Sequence, residues 1–68
     1  MISYARLLEL FAKNGYTSYR IKKEGIIGQG TLTALKSGSG GLDAKTLNRL
    51  CKLFACQPGD IMEYIPDD

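Results

Sequence analysis

Chemistry needs side chains that take up a proton, attack a carbon or hold a metal, and this sequence is poor in all three. It has no histidine. Its two cysteines, Cys51 and Cys56, are five positions apart, which is neither a CxxC spacing nor one that shares a helical face. They could act as a redox pair, but the expected role of both is that of small buried thiols in a reducing compartment. The seven carboxylates are scattered rather than clustered, which leaves few candidates for general acid–base work. The residues therefore predict no enzyme activity, no metal site, no cofactor and no small-molecule ligand.

One stretch is unusual. Residues 25–41 read GIIGQGTLTALKSGSGG and hold six of the eight glycines. Glycine concentrates in this way in a phosphate-cradling loop, or in turns that bracket a short helix pressed close to something else. A nucleotide loop needs a buried strand before the glycines and the pattern GxGxxG or GxxxxGK(S/T). Here the preceding TSYRIKKE is polar and helix-like, and neither pattern is present. Two turns around a short helix fit better.

The elements that must position this stretch are all helical in pattern. Ser3 is placed to cap a segment with Tyr4, Leu7, Leu8 and Phe11 on one stripe, ended at Asn14-Gly15. Thr17 caps SYRIKKE, whose inward residue is Ile21 and whose end is Gly25. A second short helix spans roughly residues 28–37, with Leu32 and Leu35 on one side and Gln29, Thr33 and Lys36 on the other. Asp43 caps AKTLNRLCKLFAC, whose apolar face is Leu47, Leu50, Cys51 and Phe54. Pro58 starts a last short helix carrying Ile61, Met62 and Ile65. No segment alternates apolar and polar residues, so no sheet is expected. The prediction is an all-α domain of five short helices over 1–68, with a core of Leu7, Phe11, Ile21, Leu32, Leu35, Leu47, Leu50 and Phe54.

Charge points to a partner. Net charge is +2, but residues 1–52 carry all nine Lys and Arg for a balance of +6, and residues 53–68 carry only acids, for −4. A basic body suggests a polyanion on one face, although a solvated surface sorted by chance gives the same count. No apolar run reaches the ~20 residues that span a bilayer. The opening MISYARLLEL has no basic n-region and carries charges within its apolar stretch, unlike a signal peptide, so an intracellular, cytoplasmic chain is expected.

Ile21, Gly25, Leu32 and Leu35 supply what a helix-turn-helix requires: an apolar residue in the first helix, a glycine turn, and two apolar residues three apart in the second. Any structural helix pair can satisfy the same pattern. The whole chain, however, resembles the Cro and lambda-repressor-like helix-turn-helix family, specifically its short stand-alone members in bacteria and mobile elements. GQGTLTALKSG stands where that family has its recognition helix, and the stretch TLxxLCKxxxCxPGDIxEYxP is the most distinctive match. The resemblance implies a lambda-repressor-like fold and a transcriptional regulator, with a repressor expected, that binds double-stranded DNA near the nucleoid. It also implies that both cysteines are core residues. The chain departs from the family where a small residue is usual, at Lys22, and its turn glycine comes one position early, at Gly25. The turn is then either wider or shifted by one.

On this reading Gln29, Gly30, Thr31, Thr33 and Ala34 face the bases. Gln29 has the two-pronged amide that suits adenine, and the threonine methyls and Ala34 suit a thymine methyl. Ser18, Tyr19, Arg20, Lys36, Ser37, Ser39 and Lys45 are the candidates for phosphate contact. Lys22, Lys23, Arg49 and Lys52 read as solvated charges. Gly30 costs a helix about 1 kcal/mol against alanine. That cost makes sense if the backbone approaches DNA or the first motif helix closely, or if the helix begins later. One recognition helix reads too few bases to select a genomic site, so a homodimer is expected, with Met62, Tyr64 and Ile65 as its candidate surface. The competing expectation is a protein-interaction module on the same fold, antitoxin-like or anti-repressor, which the acidic end would suit.

Overall fold

Four capped helical segments, each closed by a left-handed residue or an asparagine, give this chain its architecture. The structure, a computed structural model, describes residues 1–38 and 40–67. In chain order the elements are β1 (Ile2–Ser3), α1 (Ala5–Lys13), α2 (Ser18–Glu24), α3 (Gln29–Ser37), α4 (Ala44–Phe54), one 3₁₀ turn (Pro58–Asp60) and β2 (Glu63–Tyr64). The Thr17 hydroxyl accepts from the Arg20 N–H at 3.2 Å, and the Asp43 carboxylate accepts from the Thr46 N–H at 2.8 Å, so two of the three expected caps form. At α1 the N-cap position is Tyr4, and Ser3 accepts from the Ala5 N–H at 3.3 Å from one residue further out.

Two expectations are corrected. The fifth helix is only the 3₁₀ turn, and a two-stranded antiparallel sheet pairs Ile2 with Tyr64 and Ser3 with Glu63. The reason lies around Pro58. Asp60 accepts from the Gln57 N–H at 3.0 Å and closes a single turn. Ile61 then drops fully into the core, and the chain leaves it extended. Its backbone groups pair with the other end of the chain, where Ile65 N–H donates to the Met1 carbonyl at 2.8 Å. Arg6 reinforces this closure from α1, donating to the Gly59 carbonyl at 2.7 Å and to Glu63 at 3.0 Å.

The buried core is Leu7 and Phe11 of α1, Ile21 of α2, Ile26 and Ile27 of the turn, Leu32 and Leu35 of α3, Leu50 of α4, and Ile61. Leu47 and Phe54, expected inside, are only partly buried against it. Phe54 nevertheless meets Phe11 edge-on at 5.6 Å and Tyr16 at 5.8 Å, in a three-ring cluster that joins α4 to the α1–α2 connection.

Candidate nucleic-acid interface

The α2–α3 pair is held by its own buried stripe. Ile21 faces Leu32 and Leu35 within one core, so the opposite face of α3 is left to solvent. Between the two helices Gly25 sits at φ 64°, and the Ile26 N–H donates back to the Ile21 carbonyl at 3.1 Å. Ile26 and Ile27 then turn into the core, and an extended Gly28 takes the N-cap position of α3. The early glycine is thus itself the left-handed residue that ends α2. The wider span to Gly28 is filled by two buried isoleucines, and Lys22 lies exposed on α2.

On α3, Gln29, Gly30 and Thr33 are exposed and adjacent on one edge, one helical turn or less apart. Thr31 and Ala34 are partly buried. The cause at Ala34 is Gly40, whose N–H donates to the Ala34 carbonyl at 3.2 Å. A Cβ on Gly40 would stand 2.5 Å from that of Ala34, so the chain after α3 can fold back over α3 here only as glycine. At Gly30 the situation is reversed. A Cβ there would have nothing within 4 Å, so nothing among the described residues requires Gly30 to be bare. The close-approach-to-α2 explanation for this glycine is therefore excluded, and α3 begins at Gln29 rather than later.

The cationic and hydroxyl groups gather where α2 begins and α3 ends. Lys36 Nζ donates to Ser18 Oγ at 2.6 Å, which joins two of the expected phosphate contacts into one group. Arg20 stacks over the Tyr16 ring at 4.1 Å and donates to Glu24 at 2.5 Å, and Glu24 keeps the guanidinium firmly protonated. Tyr19 is 71 % exposed, with the Lys23 ammonium 5.9 Å from its ring centroid. Ser37 donates to the Ala34 carbonyl at 3.0 Å. Lys45 stands exposed in the first turn of α4, apart from that group. Its charge, after the larger effect of the Thr46 hydrogen bonds, helps hold the Asp43 carboxyl below the usual carboxylate range. Ser39, also expected at the phosphates, lies outside the described residues.

A family model for the Cro/C1-type HTH DNA-binding domain matches residues 6–67. The chain belongs to that family. No curated protein and no solved structure matches it. As a Cro/C1-type helix-turn-helix domain the protein is a DNA-binding regulator of transcription, from a family that is non-enzymatic. Among the described residues no group of three or more Cys, Asp or Glu is placed to hold a metal, and no helix is long and apolar enough to cross a membrane.

Sequence reasoning missed two positioning residues of this Cro/C1-type domain. Arg49, read as a solvated charge, donates from α4 to the Gly25 carbonyl at 3.1 Å and so ties α4 to the helix-turn-helix turn. The contact spans 24 positions, and no local pattern announces it. Gly40 lies in the second of the two turns expected around α3, with no role of its own expected there. Its signal was the SGSGG run itself, which is compatible with either slack or close approach, and only the fold of the chain over Ala34 separates the two.

Proposed function

We propose that the protein is a sequence-specific repressor, a single domain over 1–68 that acts as a homodimer in the cytoplasm and lays α3 in the major groove of double-stranded DNA. The observation that carries this reading is the open edge of α3, where Gln29, Gly30 and Thr33 project unobstructed beside the Lys36–Ser18 group. Gln29 is the bidentate reader, suited to adenine N6 and N7. Gly30 lets the helix come close, Thr33 offers a hydroxyl and a methyl, and Thr31 and Ala34 flank them at the margin. Ser18, Tyr19, Arg20, Lys36 and Ser37 hold phosphates around the helix, with Ser39 and Lys45 beyond it. Phosphate contacts of this kind fix register, and the α3 edge supplies discrimination.

The acidic end supports this reading over a protein-interaction role. Glu63 pairs with Arg6, Asp67 with the Met1 ammonium and Asp60 with the Gln57 backbone, so three of its carboxylates are engaged within the chain. Selection from random duplexes, followed by titration of the selected site at several salt concentrations, tests the proposal. The expected site is an imperfect palindrome with half-site centres about 10–10.5 bp apart, as two-fold symmetry demands. One protein per duplex on a site without dyad symmetry removes the homodimer. No salt-dependent retention on any duplex removes the DNA reading and leaves the protein-interaction module.

A further inference from the structure

The end of α4 places the two cysteines against each other. Ala55 is left-handed at φ 51°, the Ala55 N–H donates to the Lys52 carbonyl at 3.4 Å, and the Cys56 N–H to the Cys51 carbonyl at 3.0 Å. This is a Schellman arrangement, which commonly brings the side chains of its two outer residues into contact. Here those residues are Cys51 and Cys56. On a continuous helix a spacing of five would put them about 140° apart, and the reversal at Ala55 removes that separation. Both thiols are free and half-buried, and burial, with a smaller contribution from neighbouring Cys51, pushes the Cys56 thiol up. Both residues line one open hollow of about 350 Å³ with Leu47, Asn48, Gln57 and Pro58.

We infer that Cys51 and Cys56 are a vicinal dithiol that closes reversibly to an intramolecular disulfide, with a small-molecule disulfide of the glutathione type as oxidant. One cysteine thiolate attacks a sulfur of the small disulfide, whose S–S bond breaks. A mixed disulfide forms and the first small thiolate leaves. The other cysteine, deprotonated in turn, attacks the protein sulfur of that mixed disulfide and expels the second small thiolate. The protein loses two protons and two electrons, and both pass to the two small thiols released.

The bond acts on the fold and not on the face proposed to read DNA. The hollows that Cys51 and Cys56 line draw their residues from α1, α4 and the 57–60 segment, and none from α2 or α3. It staples the C-terminal end of α4, where Ala55 otherwise holds a left-handed turn without the freedom of glycine. Redox state then sets the stability of this regulator, and operator affinity stays constant.

The test is made on the intact protein and needs no DNA, so its failure is distinct from failure of the DNA reading. The wild type is incubated with glutathione disulfide, quenched with acid, alkylated and weighed. The expected product is a monomer lighter by two hydrogen atoms, refractory to alkylation and restored by dithiothreitol. Its melting temperature should rise by about 10 °C, the effect of closing so short a loop in a domain of this size. Cys51→Ser and Cys56→Ser should each stop at one glutathione adduct. Accumulation of two adducts on the wild type, disulfide-linked dimers, or an oxidised monomer that melts below the reduced one would overturn the inference.

Discussion

Gly30→Ala separates what the fold needs from what a ligand needs. In the free protein the added methyl meets nothing within 4 Å, and residue 30 lies inside α3, one position after its first residue. Alanine also restricts the unfolded chain, so the variant should be more stable by about 0.5–1 kcal/mol. For a domain of this size that is a rise of roughly 2–8 °C in melting temperature. On DNA the sign reverses. If Gly30 is bare so that α3 can approach the groove, the methyl has to be fitted into a packed interface. Overpacking of that kind costs about 1–3 kcal/mol, or roughly 5–150-fold in affinity for the selected site. Melting curves and operator titrations on the same preparation read both effects. A variant that is more stable and binds equally well would refute the idea that α3 approaches DNA at Gly30. One that is less stable would refute the placement of Gly30 within α3.

Gln29→Ala should cost about 1–3 kcal/mol on the selected site and almost nothing on random duplex, with the salt dependence unchanged. Lys36→Ala should weaken both duplexes alike and reduce the salt slope by about 1, and identical behaviour of the two variants would remove Gln29 from the base edges. Ala55→Gly should raise the melting temperature, because glycine takes a φ of 51° without the steric strain alanine suffers there, whereas a fall would contradict the left-handed α4 end. The Thr46 hydroxyl and N–H depress the native Asp43 pKa, so its stabilising contribution is complete above the ordinary carboxylate value of about 3.9. It is lost as pH falls through the lower native value. Asp43→Asn, which cannot ionise, should therefore flatten the loss of melting temperature between about pH 5 and pH 3, and parallel wild-type and variant curves would exclude this cap as a source of acid sensitivity.

Four of the five expected helices, and two of the three expected caps, were legible in the sequence because the information is local. Thr17, Asp43 and Gly25 act within a turn or two of themselves, and the 3.6-residue stripes bury Leu7, Phe11, Ile21, Leu32, Leu35 and Leu50 as their spacing dictates. Family membership was legible for the same reason, since the helix-turn-helix pattern and TLxxLCKxxxCxPGDIxEYxP are contiguous. The open edge of α3 followed from the periodicity that buries Leu32 and Leu35.

What remained undecided depends on groups distant along the chain. Strand pairing of Ile2 with Tyr64 joins backbone groups from the two ends, and two-residue strands are too short to show alternation. Arg49 on the Gly25 carbonyl, Gly40 over Ala34 and the three-ring cluster each arise from the way helices are brought together. Ile26 and Ile27 are core residues for a related reason. A turn has no periodicity to assign their side, so only their packing into the common core decides it. Gly30 and the cysteine pair lie between these cases. Their residue types and spacing stand in the sequence, but the open space before Gly30 and the reversal at Ala55 that joins the thiols are properties of the folded chain alone.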